Sequence, residues 1–252
     1  MTGQAAPARD APGGSLPAPS PDRAAPSAAA TVATLLRKEL RLELRTPQTV
    51  PAMALFSVTT FVVFHFALRA RSVEGDLAAG VLCVTILFAA ILGVNRLFVA
   101  DHEEGGFDGF LLAPVDRTAL LVAKALALLA FLVLLELVAV PAFILLLLEP
   151  GLGVSDLARL ALVLLLTDIG IAVLGTLVAA LAIQTRTRDL IVPIVALPLL
   201  IPVVIAASRG SAPLLAAAGA GALPGRWLAL LGLYDLVFGL LAYAVFDFLL
   251  EE

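Results

Sequence analysis

Long apolar runs, each about the length of a bilayer crossing, alternate with short polar stretches along most of this chain. Runs at about 50–69, 77–99, 119–148, 157–183, 190–207 and 227–249 are nearly free of charge, and each predicts a spanning helix. The third run exceeds what a bilayer requires. Pro141 is placed to kink it, and Lys124 to snorkel toward the near interface. Pro193, Pro198 and Pro202 are expected to break the fifth. Residues 211–225, between the fifth and sixth runs, are small, apolar and rich in Gly and Pro, which suits a surface or re-entrant element.

Ahead of the first run the period changes. Within residues 31–45, Val32, Leu36, Leu40 and Leu44 form an apolar stripe, Arg37, Arg41 and Arg45 a basic stripe beside it, and Glu39 and Glu43 the other flank. That pattern predicts an amphipathic helix lying in the membrane surface and ended by Pro47 and Pro51; a soluble helix packed on a partner subunit is the alternative. Residues 1–30 are rich in Ala, Pro, Gly and Ser without apolar period, and cannot bury enough surface to offset their ordering entropy. They also lack the basic start and apolar stretch of a signal peptide. The expected organisation is a disordered Ala/Pro-rich tail over 1–30 and a six-helix membrane domain over 31–252. The fold class is all-α integral membrane, with an N-terminal interfacial helix.

Composition strengthens this reading. Hydrophobic residues make up 61% of the chain and mean hydropathy is +1.06, against roughly 45–50% apolar residues in soluble domains. The formal charge of -4 leaves no basic footprint for nucleic acid. The single cysteine, Cys83, excludes an intrachain disulfide and reads as a small buried hydrophobe. One set of loops carries Arg37, Lys38, Arg41, Arg45, Arg96, Arg117, Lys124, Arg186 and Arg188. The other carries Arg69, Arg71, Arg159, Arg209 and Arg226. The richer side is expected in the cytoplasm, with both termini.

The connection between the second and third runs is the most informative polar stretch. It starts at Arg96, is acidic at Asp101, Glu103, Glu104 and Asp108, and ends at Pro114. Phe107, Phe110 and Leu111 add apolar residues at helical spacing, so the segment could be a short helix docking into a groove on another protein, or simply a solvated connector.

Here the chain resembles a known family. Arg96-Leu97-Phe98, Asp101, Glu104-Gly105, Leu111-Leu112-Ala113-Pro114 and Ala123-Lys124 are similar in order and spacing to the heme exporter protein B (CcmB) family, the permease subunit of the cytochrome c maturation system. Arg41 to Arg45 and the Pro193, Pro198, Pro202 stretch fit as well, and the likeness covers about 31–250. It implies a type-2 ABC exporter permease in the bacterial inner membrane, dimeric in its complex, paired with a separate cytosolic ATPase and a haem-handling membrane protein. Haem would be its cargo, for attachment to c-type cytochromes. It also implies an ATPase-coupling role for the connection, carried over onto Asp101, Glu104, Gly105 and Pro114; Arg96, Glu103, Asp108 and Phe110 of the same stretch complete the candidate set. No Gly-x-x-x-x-Gly-Lys-Ser/Thr loop is present, so ATP would be bound by the partner and no cofactor by this chain. The single tryptophan, Trp227, does not provide the tryptophan-rich segment of the related haem-handling proteins.

Three acids fall within runs: Glu136, Asp168 and Asp235. Each costs about 2.5–3.5 kcal/mol at a helix centre on insertion scales, so each should face the bundle interior or an aqueous cavity, either lining a path or bonding between helices. His65, near the far end of the first run, is a conceivable haem contact, although a lone interfacial histidine more often serves as a polar anchor; His102 lies in the connection. Gly175 with Ala179, and Gly232 with Gly239, would let helices approach closely and agree with dimerisation. A membrane-embedded enzyme would need a catalytic set within the spans, and Ser57 has no such setting. A permease for another lipid or amphiphilic cargo, and an ion-coupled secondary transporter, are the remaining alternatives; the latter predicts inverted repeats, of which no matching half is visible.

Overall fold

The computed structural model describes residues 27–68, 73–97, 117–148, 152–182, 188–216 and 221–249. Its first element, α1 (Ala28–Arg45), starts just before the expected residue 31, where the Ser27 hydroxyl accepts the Ala30 N–H at 3.3 Å. The spanning helices are α2 (Thr49–Ala67), α3 (Gly75–Arg96), α4 (Arg117–Leu147), α5 (Val154–Ala182), α6 (Arg188–Ser211) and α7 (Gly225–Leu249). Among the described residues these six are long and apolar enough to cross a membrane, and no strand occurs. The protein is a multi-pass membrane protein.

α3 and α5 form the centre of the bundle. α2 packs against α4 and α3 at one edge, and α7 against α5 and α6 at the other. The outer faces of α2 and α7 display Leu55, Val63, Phe66, Leu233, Leu236 and Leu240, as lipid-facing helices do. Four hydroxyls inside the spans are satisfied locally: Ser57, Thr85, Thr167 and Ser211 each donate to the carbonyl four residues back, whereas the buried Thr176 hydroxyl has no partner among the described residues.

Two expectations about proline are corrected. α6 runs unbroken through Pro193, Pro198 and Pro202. In a bundle, neighbouring helices can support a ladder that prolines loosen, and the Tyr234 hydroxyl of α7 donates to the Leu199 carbonyl at 2.9 Å, just ahead of Pro202. Pro51 does not end the interfacial helix either. It lies in the first turn of α2, where a missing N–H costs nothing, and only Pro47 falls in the break. α4 likewise continues through Pro141.

The stretch after α6 opens with a 3₁₀ turn, Ala212–Leu215, whose Leu214 and Leu215 are buried against α3. Gly221 N–H donates to the Pro213 carbonyl at 3.0 Å, which brings Gly221 back beside the 3₁₀ turn.

Candidate functional site

Contacts at the helix ends assign each to one of two faces. Val73 N–H donates to the Leu147 carbonyl, and Arg209 reaches Asp76 at 3.2 Å, so the ends of α2, α4 and α6 share a face with the starts of α3 and α5. α1, the start of α2, the end of α3 and the start of α4 meet at the opposite face. Arg96 is there, exposed in the last turn of α3. Asp101, Glu103, Glu104, Gly105, Asp108, Phe110 and Pro114, with Phe107, Leu111 and His102, lie outside the described residues.

At the α1 face the structure assembles a polar cluster that local pattern does not reveal. Lys124 does not snorkel outward; it is turned inward and only 2% exposed. Its Nζ sits 2.9 Å from Glu39 Oε1 on α1 and donates to the Leu97 carbonyl at 3.0 Å. The negative end of α3's dipole and a carboxylate therefore both face the ammonium, and together they offset its desolvation. One turn further along α1, Glu43 Oε1 accepts the N–H groups of Gln48 (3.2 Å), Thr49 (2.8 Å) and Val50 (2.8 Å). These are donors at the start of α2 that no helix carbonyl can satisfy, and a carboxylate is the strongest cap available to them. α1 thus packs on α4 of its own chain, with Val32, Leu36 and Leu40 half-buried, while Leu44 of the same stripe and Arg37, Arg41 and Arg45 are exposed.

The intramembrane acids form a second cluster, and the structure unites two of the three. Asp168 is fully buried in the middle of α5, and neither of its carboxyl oxygens has a hydrogen-bond partner. Glu136 of α4 comes within interaction range of it, carboxyl against carboxyl, and Glu136 Oε1 is likewise buried with no N–H or O–H donor reaching it. Asp235 of α7 sits elsewhere. It lies against Gly170, where an added Cβ would come 2.7 Å from Asp235 Oδ1. Residues two apart on a helix point to nearly opposite sides, so the Gly170 contact turns Asp235 away from Asp168. Unpaired carboxyls of this kind are costly in a packed interior, and such positions are usually kept for function.

His65 is exposed at the far end of α2, its Nδ1 against the Leu146 carbonyl of α4 at 2.5 Å and its ring edge-on to Phe66. One of its two nitrogens is therefore engaged in joining α2 to α4. Among the described residues no group of three His, Cys, Asp or Glu side chains could hold a metal ion. Cys83 is buried in α3. Of the small residues, Gly175 makes a close approach: a Cβ there would come 2.6 Å from Val94 Cγ2. Gly232 and Gly239 meet nothing within 4 Å inside this chain, so the close contact expected of them does not form here.

Comparison with known proteins matches residues 30–248 to the family model described as "CcmB protein". Among curated relatives, Heme exporter protein B of Bradyrhizobium diazoefficiens is 30% identical over 214 residues, covering 84% of this chain and 95% of the relative. Heme exporter protein B of Rhodobacter capsulatus is 31% identical over 172 residues (68% and 78%). That of Pseudomonas aeruginosa is 32% identical over 175 residues (69% and 77%).

Proposed function

The chain belongs to the CcmB family, and from that premise we propose that it is the membrane permease subunit of an ATP-binding cassette exporter supporting haem delivery for c-type cytochrome biogenesis. The observation that carries this reading is the match over 30–248, which takes in the interfacial helix and all six spans. ATP is hydrolysed on a separate cytosolic subunit, and a haem-handling membrane protein works beside this one. Haem is cargo rather than a resident cofactor, and the working form is a homodimer. The chain sits in a bacterial inner membrane with the α1 face in the cytoplasm. Arg37, Lys38, Arg41, Arg45, Arg96 and Lys124 gather at that face, against Arg159, Arg209 and Arg226 at the other, which supports the orientation.

The connection 96–114 is the ATPase contact in this reading, with Asp101, Glu103, Glu104, Gly105, Asp108, Phe110 and Pro114 as its residues. Replacing Glu104 and Gly105 together is expected to weaken co-purification of the ATPase while the protein still inserts at its usual level. Undiminished co-purification would remove the connection from that role. Haem co-purifying with the complex, measured with and without the haem-handling partner, tests the cargo; persistent absence in both preparations would favour another amphiphilic cargo.

A further inference from the structure

Lys124 occupies an unusual place for a cation. It lies in the second turn of α4, near the positive end of the helix dipole, where a lysine gains nothing from its own helix. Yet it is 2% exposed, so its ammonium is held by what it reaches in space. Among the described residues it reaches Glu39 on the interfacial helix at 2.9 Å and the Leu97 carbonyl that closes α3 at 3.0 Å. Leu97 is where the chain enters the connection 98–116, and α4 is where it leaves. One ammonium therefore holds both roots of that connection and ties them to α1. Glu43 completes the path, because its carboxylate takes three N–H groups at the start of α2. Glu39 and Glu43 are four residues apart, hence neighbours on one side of α1.

We propose that the Glu39–Lys124–Leu97 cluster is a latch that makes α1 and both roots of the connection 98–116 move as one body, so that a displacement of the connection is delivered through α1 and Glu43 to the start of α2. Lys124 and Glu39 are positioning residues in this scheme. They touch no cargo and no nucleotide. The latch's role in transport rests on reading the connection as the ATPase contact; its mechanical part does not.

The test uses the full chain co-expressed with the ATPase, in a Cys83→Ala background, with spin labels on cysteines placed at the exposed Thr34 of α1 and Leu181 of α5. A narrow distance distribution is expected for the background chain. Lys124→Met and Glu39→Gln should each broaden it and lower cytochrome c assembly at least tenfold, with unchanged membrane levels and ATPase co-purification. Lys124→Arg, which can still donate to both Glu39 and Leu97, should keep both readouts near the background. The exchange Glu39→Lys with Lys124→Glu should narrow the distribution again but leave assembly low, since a glutamate cannot donate to the Leu97 carbonyl. If Lys124→Met does not accumulate in the membrane, Glu39→Gln carries the test alone. A narrow distribution in the single variants overturns the latch, and a broad one with normal assembly overturns its part in transport. If the ATPase fails to co-purify even with the background chain, the exporter reading fails, and the distance measurement still decides the latch.

Discussion

Gly175→Ala gives a sharp test of the bundle's packing. The glycine lies on α5 where α3 and α4 converge, and a Cβ there would come 2.6 Å from Val94 Cγ2 and 3.3 Å from Leu128 Cδ2. Ordinary carbon contacts lie at about 3.5–4.0 Å, so the first overlap is about 1 Å. Val94 cannot easily yield, because a β-branched side chain on a helix keeps essentially one rotamer and this one is 1% exposed. Overpacking of this kind costs about 1–3 kcal/mol, offset by up to about 1 kcal/mol of helix propensity gained from Gly to Ala. The expected result is a net loss of up to about 2 kcal/mol. It is read as a lowered unfolding midpoint in detergent, followed by size-exclusion chromatography after heating. Gly80→Ala and Gly239→Ala have nothing within 4 Å of the new methyl and should hold or raise the midpoint. Combining Gly175→Ala with Val94→Ala should cost less than the sum of the two by about 1–2 kcal/mol, since the clashing methyl has gone. A Gly175→Ala midpoint at or above that of Gly80→Ala would refute the reasoning, as would strict additivity of the pair.

Three further outcomes are expected. Asp168→Val removes two buried, unpartnered oxygens and should stabilise the protein by about 1–3 kcal/mol in the same assay while lowering cytochrome c assembly; lowered stability with normal assembly would make the carboxyl structural. Glu43→Ala uncaps α2 and should cost about 1–2 kcal/mol, with faster hydrogen exchange at Thr49 and Val50 by mass spectrometry and Glu43→Gln in between; unchanged protection there would deny the cap. His65→Ala should leave cytochrome c assembly largely intact because the ring joins α2 to α4; loss of bound haem and assembly at normal membrane levels would make it a haem contact instead.

The comparison of Lys124 with Arg37 shows how far local pattern reaches. Both are basic residues near the same face, and the chain's periodicity treats them alike. Arg37 stays exposed as its stripe on α1 predicts. Lys124 turns inward because Glu39, 85 positions earlier, is brought within 2.9 Å of it. No local signal marks that pairing, since the residues belong to different helices and the distance follows from how α1 lies on α4. The proline-rich α6 fails in the opposite direction. Three prolines argue for a break in an isolated helix, but surrounding helices hold the ladder together. For the connection 96–114 helical periodicity left docking helix and solvated connector equally open, and the coupling role comes from family resemblance alone, through the order of its residues.

What the sequence determined by itself is whatever depends on one segment and its solvent. Six runs too apolar for water must become helices in lipid, because a lone segment there can satisfy its backbone only from within. The amphipathic stripe of α1 likewise places it at an interface before any contact is known. Tertiary structure alone decided which polar groups meet. It joined Glu39 to Lys124, set Glu43 over the start of α2, and brought Glu136 toward Asp168 while leaving Asp235 against Gly170. A hydrophobic run specifies that a helix crosses the membrane but leaves its rotation and neighbours open, since lipid and leucine are nearly equivalent surroundings. Close packing at Gly170 and Gly175, and the few polar contacts between helices, resolve that choice.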